Sequence, residues 1–442
     1  MKKVDGSAVR LVDETDGRLA AVLADGLAIE LGQVAALCRE GLMALSVEAG
    51  LAAATVIMAS EADVLCGPWN ARDPERSHVR GGTAPASVVM GGQRLPIRRP
   101  RVHGVDDGVN GGEVALETFG VFANDDLLSR TVMERMLAGV ATRSFARVAD
   151  PIGERARAQA TSTSRSAVSR RFVTGTKKAL AGLLARDFSQ LDAAVLMIDG
   201  VDFAGSTCVV ALIVTADGTK VPVGMRLGDT ENKTLVKALL ADLVDRGLDY
   251  SGGLLVVIDG AKALATAVRA VFGDLAVIQR CQIHKRRNVG DHLAKKDREV
   301  IDARLRGAFA DPDPHSGLLK AKRLAAELDR ACPDAAGSLR EGLEDMFTVR
   351  RLGIDGTLAR TLVCTNMIES MISIARTTTS NVKRWRDEND MRRRWCAAGM
   401  AEAERKFRRV RGHKQMPALV AALARHVDTV TARCHTEQDL AA

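Results

Sequence analysis

Three acidic residues have the types and the sequence settings that could do chemistry. Asp199 and Asp259 each follow a short apolar run and precede a glycine, whereas Glu369 lies in Thr-Asn-Met-Ile-Glu-Ser at 365–370, which predicts the start of a helix. Carboxylates brought together repel each other unless cations lie between them, and their oxygens suit Mg²⁺ or Mn²⁺. Two such ions can drive in-line attack on a phosphodiester. We therefore expect these three side chains to bind a pair of divalent ions.

The elements that must position these carboxylates begin near Leu191, where helical periodicity gives way to short apolar runs. A turn at 216–219 predicts a hairpin, so the first three strands are antiparallel and later ones return through helices. The predicted elements are strands at 194–199, 207–215 and 221–227, a helix at 231–246, a strand at 254–258, a helix at 262–271 and a strand at 275–280. This order is typical of an α/β fold of the ribonuclease-H-like kind, in which the first strand is central and the fourth lies beside it. Asp199 and Asp259 are then expected at neighbouring strand ends.

Two regions precede this pattern. Residues 1–65 are predicted to form a helical N-terminal region, because Ala, Leu and Glu recur at helical spacing from 16 to 62. Residues 66–124 are predicted to form a small region of strands and loops, with a hairpin that turns at Gly91 and Gly92. The basic segment 98–102 has two interpretations, the edge of a strand or an arm lying on nucleic acid.

Residues 125–190 form the predicted DNA-binding region. Ser and Thr at 161–164 favour a helix cap, and the helix that follows carries Arg165, Ser169 and Arg170. Small polar and arginine side chains are what a recognition helix offers to phosphates and base edges, so we expect a helix-turn-helix here. The alternative is an ordinary surface helix in a linker.

The charge distribution favours a polyanionic partner. Residues 376–414 hold 13 Lys or Arg and 5 Asp or Glu, an excess that equals the net charge of +8 for all 442 residues. Concentrated basic charge suits the phosphate backbone of double-stranded DNA, and a solvated helical face is the alternative. No CxxC pair, basic signal sequence or long uncharged apolar stretch is present, so we expect a reduced cytoplasmic protein without a membrane segment.

An ordered set of short motifs gives the chain a family resemblance. It resembles bacterial insertion-sequence transposases of the Mutator type, a branch of the DDE transposases, from about residue 70 to 425. The matching motifs are Met-Ile-Asp-Gly-Val-Asp at 197–202, Gly-Asp-Thr-Glu-Asn at 228–232, Asp-Arg-Gly-Leu at 245–248, Val-Ile-Asp-Gly-Ala-Lys at 257–262, the segment 279–288 and Cys-Thr-Asn-Met-Ile-Glu-Ser at 364–370. The family usually has Thr where this chain has Cys364, a change that should be tolerated because that residue need not bind metal.

The resemblance implies a site and a domain arrangement. Asp199, Asp259 and Glu369 would be the metal-binding triad of a ribonuclease-H-like catalytic domain. That domain would comprise 191–284 and 360–431, interrupted by an all-helical insertion at 285–359.

Cys281 and His284 follow the fifth predicted strand. No second Cys/His pair lies at a suitable distance, so we exclude a structural zinc site. His284 is a candidate catalytic residue near the scissile phosphate; the alternative is a hydrogen-bonded pair that only positions the strand end. Lys285, Arg286 and Arg287 come next and are expected to contact DNA.

The basic C-terminal segment supplies further candidates, Arg376, Lys383 and Arg384, as DNA contacts. Trp385 and Trp395 lie in the same segment. They could stack on unpaired bases or pack the segment against the core, and the second interpretation is favoured.

The function implied is cleavage at the ends of a mobile element and transfer of a DNA 3′-OH into target DNA, with two Mg²⁺ or Mn²⁺ ions. Partners would be terminal inverted repeats, target DNA and a second copy or larger assembly of the chain, on the bacterial nucleoid. One alternative is an inactive, transposase-derived DNA-binding regulator. Another is a ribonuclease-H-like nuclease for RNA–DNA hybrids or junctions.

Overall fold

The computed structural model of the protein describes residues 9–13, 19–23, 28–30, 34, 38, 40–68, 76–106, 109–203, 205–228, 232–386 and 388–441. The chain divides into two compact units, Met1–Gly175 and Thr176–Ala442. Together they make a mixed α/β protein in which helices follow the first strands of each unit.

The first unit begins with strands where the sequence predicted helix. Strands β1 (Val9–Asp13), β2 (Leu19–Leu23) and β3 (Ala28–Glu30) form an antiparallel sheet in that order. The helical prediction for 16–62 is therefore wrong at 19–23 and 28–30, whereas residues 34, 38 and 40 and helix α1 (Leu42–Cys66) are helical. Over so few residues, Ala and Leu are compatible with the period of a helix or of a strand. The Asp-Gly pairs at 16–17 and 25–26 are typical of hairpin turns and favour the strands.

A second antiparallel sheet contains the predicted hairpin. It comprises β4 (His78–Met90), β5 (Gln93–Asp106) and β6 (Val109–Val114). Met90 pairs with Gln93, and Gly91 and Gly92 both have positive φ, as a tight two-residue hairpin turn requires. The basic segment 98–102 lies within β5, the middle strand, so the strand interpretation is correct although the segment is not at an edge.

Helix α1 packs on this hairpin. By length and mean hydropathy (1.9) alone it is the one helix among the described residues that could cross a bilayer. Two of its three acidic side chains have partners within the unit: Asp63 pairs with Arg80, and Glu61 accepts a hydrogen bond from the backbone N–H of Glu117. These are the contacts of a helix packed in a folded domain.

The predicted DNA-binding region is helical, as expected. It contains α3 (Asp126–Leu137), α4 (Glu154–Gln159) and α5 (Arg165–Leu184). Helix α2 (Glu117–Ala123) precedes it and lies in the region 66–124 that was predicted to be strands and loops. Five residues separate α4 from α5. Arg165, Ser169 and Arg170 on α5 are exposed, while Val168 and Phe172 are buried, so the polar face of α5 is open to solvent.

The second unit is built on a five-stranded mixed sheet. Its strands are β7 (Ala193–Phe203), β8 (Ser206–Thr215), β9 (Lys220–Gly228), β10 (Leu254–Ile258) and β11 (Ala276–Arg280), in the order β11-β10-β7-β8-β9. Strands β7 to β9 are antiparallel, whereas β10 runs parallel to both β7 and β11. The predicted order, with the first strand central and the fourth beside it, is confirmed.

Helices α6 (Lys233–Asp245) and α7 (Lys262–Phe272) cover one face of this sheet. Their apolar side chains join Leu196, Ile198 and Ile258 in one buried cluster. Asn232 caps α6 by accepting from the backbone N–H of Leu235. Residues 229–231 of the motif at 228–232 lie outside the described residues.

The helical segment predicted after β11 is present, with a core of its own. Asp313 caps the helix after the loop at 311–314 and Pro314 is its first residue, an arrangement suited to a helix start. The helices are α8 (Gln282–Asp291), α9 (Lys295–Phe309), α10 (Pro314–Ala331), α11 (Pro333–Arg340), α12 (Thr348–Arg351) and α13 (Gly356–Leu362).

Three helices complete the unit: α14 (Asn366–Thr378), α15 (Met391–Lys406) and α16 (Met416–Ala441). Helix α14 packs on β7 and α15 packs on α14 and β9. Trp395 is buried, and its ring lies 6.4 Å from that of Trp385, which in turn lies 5.5 Å from Phe203. The two tryptophans therefore pack the basic segment against the sheet, as favoured from the sequence.

Candidate active site

Asp199 and Asp259 each come directly after the last paired residue of two adjacent parallel strands. Their preceding residues, Ile198 and Ile258, are paired in the parallel register of β7 and β10. Asp199 is 8% exposed, and since Ile198 faces the α6/α7 cluster, alternation along the strand directs Asp199 to the other face. Asp259 follows β10 directly and accepts a hydrogen bond from the backbone N–H of Ala261 (2.8 Å).

One detail of this arrangement differs from the prediction. Strand β7 does not end at Asp199 but continues to Phe203, paired with β8. The pairing with β10 stops at Ile198, so Asp199 occupies the first position beyond the shared edge of the two strands. The end of the apolar run therefore marks the point at which β7 loses its neighbour β10. The pairing of β7 with its hairpin partner β8 continues beyond that point.

Glu369 is carried by the first turn of α14, the helix that packs on β7. Its Oε1 accepts a hydrogen bond from the hydroxyl of Thr365 (2.6 Å). Thr365 is the N-cap residue of α14, but its hydroxyl makes no capping bond to the helix backbone. The hydroxyl instead fixes the carboxylate of Glu369.

Cys281 and His284 connect the strand ends to α14. The backbone N–H of Cys281 donates to Ile258 O (2.8 Å), next to Asp259. His284 Nδ1 lies 3.4 Å from the hydroxyl of Thr365, and Nε2 lies 3.8 Å from Glu369 Oε1. The imidazole therefore touches the groups that hold Glu369.

His284 lies within electrostatic range of two of the three predicted carboxylate ligands, Glu369 and Asp259. A hydrogen bond with Cys281 raises the pKa of His284 to about 9 against the opposing effect of burial, and the charges of Cys281, Glu369 and Asp259 contribute in the same direction. Burial raises the pKa of the Cys281 thiol, but hydrogen bonds with His284 and Thr365 outweigh it and bring the pKa below its usual value. Asp259 and Glu369 thus both act on the same imidazole.

The donor set suits a hard divalent cation, because all three predicted ligands offer carboxylate oxygens and two of them start from adjacent strand ends. Among the described residues no three His, Cys, Asp or Glu side chains are clustered closely enough to hold a metal ion. The Glu369 carboxylate is turned toward Thr365 in this conformation. Its role as a ligand stays a prediction.

Residues 117–409 match the model of a family described as "Transposase, Mutator family". The chain belongs to this family. The match covers both aspartates, the histidine and Glu369, and it includes the helical segment between them. The resemblance drawn from the short motifs is confirmed.

Curated relatives of this Mutator-family chain are transposases of bacterial insertion sequences. It is 30% identical to a probable insertion-element transposase of Corynebacterium diphtheriae, over 41% of the chain and 52% of the relative. It is 25% identical to the transposase of IS256 in Tn4001 from Staphylococcus aureus, over 56% and 63%. A Rhizobium meliloti transposase, that of ISRM5, is 27% identical over 68% and 73%. The chain thus spans between about half and two thirds of the first two relatives.

One predicted DNA contact of this Mutator-family chain is wrong. The side chain of Lys285 is buried, and its ammonium donates to the carbonyl oxygens of Ser338 (2.6 Å) and Glu341 (2.8 Å). Burial lowers the pKa of Lys285 to about 8, with the nearby Arg280 acting in the same direction. Lys285 therefore joins α8 to the end of α11 and is closed to DNA.

This burial predicts a pH-dependent stability. The folded-state pKa of Lys285 lies below its ordinary value, so the unfolded chain binds more protons between pH 8 and 10.5 and the free energy of unfolding rises with pH there. We expect the wild type to gain on the order of 2–3 kcal/mol relative to Lys285→Met across that window. Urea unfolding of both proteins from neutral to alkaline pH measures the difference. Parallel pH curves would contradict the assignment.

The other basic candidates are open to solvent to different degrees. Arg287, Lys383 and Arg384 are exposed. Arg376 is exposed and donates to the carbonyl oxygen of Asp202 (3.3 Å). Arg286 is half-buried and pairs with Asp302 (2.6 Å). Their contact with DNA stays a prediction.

Sequence reasoning missed two supporting residues, Thr365 and Arg280. The buried guanidinium of Arg280 donates to the carbonyl oxygen of Gly260, beside Asp259, and to Glu341 O (3.0 Å). It thereby ties the Asp259 loop to the helical segment. The position of Arg280 at the end of an apolar strand could have indicated a role for it. Its partners, Gly260 and Glu341, are however 20 and 61 residues away along the chain.

Proposed function

We propose that this chain is a DNA transposase that cuts DNA at the ends of its element and joins the freed 3′-OH to target DNA. The observation that carries the proposal is the placement of Asp199 and Asp259 at neighbouring positions on paired parallel strands, with the Glu369 helix packed on the same central strand. The strand order is the one expected of a ribonuclease-H-like catalytic domain, interrupted by the helical segment 285–359. Family membership supports the substrate class.

Asp199, Asp259 and Glu369 would hold a pair of Mg²⁺ or Mn²⁺ ions. When bound, the ions lower the pKa of an attacking water or 3′-OH and stabilise the leaving 3′ oxygen. Because one site serves either nucleophile, cutting and joining need no different residues and no covalent protein–DNA intermediate.

The surrounding residues orient these carboxylates. Thr365 donates to Glu369, and the bond from Cys281 to Ile258 O keeps α8 beside the Asp259 strand. Nε2 of His284 lies 3.8 Å from Glu369 Oε1, and it would donate to an oxygen of a phosphate held by metal ions at the carboxylates. Arg280 holds the Gly260 carbonyl and so limits movement of Asp259.

End recognition is assigned to the exposed face of α5 with Arg165, Ser169 and Arg170. Non-specific backbone contacts would come from Arg286, Arg287, Arg376, Lys383 and Arg384. Joining two DNA ends requires at least a dimer on the nucleoid DNA, because each end must be held near a catalytic site.

The experiment is a cleavage assay on duplex DNA carrying the inverted repeats that flank the gene. We expect Mg²⁺-dependent nicking at the repeat end, loss of nicking in EDTA, and recovery when Mg²⁺ is restored. Strand breaks that persist in EDTA would contradict the metal assignment. Tight binding of the repeats without any nicking would instead support the inactive regulator, and cleavage restricted to RNA–DNA hybrids would support the nuclease.

A further inference from the structure

A cavity of about 440 Å³ adjoins the candidate active site, within the second unit. Four arginines from four different helices, α8, α9, α12 and α13, line it, together with Cys364 and Asn366. No Asp or Glu is among the described residues that line it. The arginines are Arg286, Arg306, Arg350 and Arg360.

The positive charge of this cavity is only partly compensated. Arg286 and Arg306 share a single carboxylate, that of Asp302, at 2.6 and 3.1 Å. Arg350 and Arg360 have no carboxylate within ion-pair distance in the described part of the chain, and Arg360 bonds only to the hydroxyl of Thr357 (3.3 Å). Guanidinium groups held together by the fold repel one another unless an anion lies between them. The cavity is therefore suited to an anion with several oxygens.

The cavity and the carboxylate site are built from residues of the same two short segments, 281–286 and 363–369. Cys364 and Asn366 flank Thr365, whose hydroxyl holds Glu369. The backbone bond from Gln282 to Val363 O (2.9 Å) keeps α8 against the end of α13. Residues that line the cavity therefore alternate along the chain with residues of the candidate active site.

We propose that this cavity binds backbone phosphates of the DNA strand next to the phosphodiester that is cut. The inference rests on the proposed function and adds Arg306, Arg350 and Arg360 to the DNA-contacting residues. Arginine suits this task because its planar fork can donate two parallel hydrogen bonds to one phosphate. Since only Arg286 and Arg306 have a carboxylate partner, Arg350 and Arg360 should contribute most.

The test uses the full chain with the double substitution Arg350→Gln/Arg360→Gln. Its matched control is Arg323→Gln, an exposed arginine on α10 of the same helical segment. Affinity for a fluorescent duplex carrying one terminal repeat is measured between about 50 and 200 mM salt. We expect the slope of log affinity against log salt to shrink by about 1 to 2 in the double variant and not in the control. An unchanged slope, in a variant with wild-type thermal unfolding, overturns the proposal.

A second arm locates the phosphates. Neutral methylphosphonates are placed one at a time beside the cleavage position. At one or more positions, we expect the neutral phosphate analogue to lower the DNA affinity of the wild type but to lower that of the double variant much less. The reason is that the analogue and the double substitution remove the same contact. Additive losses at every position, or equal displacement of DNA from both proteins by inorganic phosphate at matched ionic strength, overturn the proposal.

Different results would contradict the cavity assignment and the proposed function. If the double variant keeps the wild-type slope while Asp199→Asn loses cleavage, only the cavity assignment falls. If Asp199→Asn protein still cleaves the repeat, the proposed function falls whatever the slopes show.

Discussion

Replacing Asp199 with Asn is expected to abolish DNA cleavage and strand transfer while leaving DNA binding intact. The amide keeps the size of the side chain but removes the negative charge that a divalent ion requires. A loss of about 4 kcal/mol of transition-state stabilisation corresponds to roughly a thousandfold fall in rate. Single-turnover nicking of a labelled terminal repeat measures the rate, and fluorescence anisotropy measures binding of the same duplex.

The chain offers a matched control in Asp202, three residues further along β7. Asp202 is exposed, and its carboxylate accepts from the backbone N–H of Gly205 (3.1 Å) in the following turn. Asp202→Asn makes the same chemical change and should keep cleavage within a few-fold of the wild type. Equal losses in the two variants would show that general charge or folding, rather than the proposed site, accounts for the effect.

Replacing Gly399 with Ala should destabilise the second unit, although alanine favours a helix. Gly399 lies in the middle of α15, and a β-carbon there would lie 2.6 Å from the Cα of Ala375 on α14. Relief requires the two helices to separate, at a cost of about 1–3 kcal/mol. Because α14 carries Glu369, cleavage should fall as well. Chemical denaturation gives the stability.

Gly307, on the exposed side of α9, is the matched control. It also lies within a helix, in the last turn of α9, but a β-carbon there would meet nothing within 4 Å. Gly307→Ala is therefore expected to stabilise the protein by about 0.5–1 kcal/mol. The close contact between α14 and α15 therefore predicts that the two Gly→Ala substitutions change the free energy of unfolding in opposite directions. Stabilisation by Gly399→Ala would show that this contact is looser than described.

The sheet of the second unit could be predicted closely because its strands are short apolar runs separated by polar turns. The run at 254–258 gave the bounds of β10 without error, and the hairpin at Gly91 and Gly92 followed from the requirement for positive φ. The N-terminal strands could not be predicted in the same way, since Leu19–Leu23 is rich in Ala and Leu and too short for either period to dominate.

The positions of the two aspartates could be predicted from the sequence, whereas the surroundings of the candidate site were harder to predict. Each aspartate follows an apolar run, so its position could be inferred from its own segment. The burial of Lys285 depends on carbonyl groups of Ser338 and Glu341, more than 50 residues away, and no local pattern encodes it. The partner of the Thr365 hydroxyl could not be predicted either, because a threonine at the start of a helix usually caps the helix backbone.

The helical segment between Asp259 and Glu369 sets the order in which the proposed site is completed during translation. Both aspartates and the whole five-stranded sheet are encoded before this segment, and the third carboxylate follows about 110 residues after the second. At bacterial-like synthesis speeds that delay is roughly 5–20 s. A nascent or prematurely terminated chain would therefore contain the predicted end-recognition helices but only two of the three acids. On the proposed function, such a product would lack Glu369 and would not cut DNA.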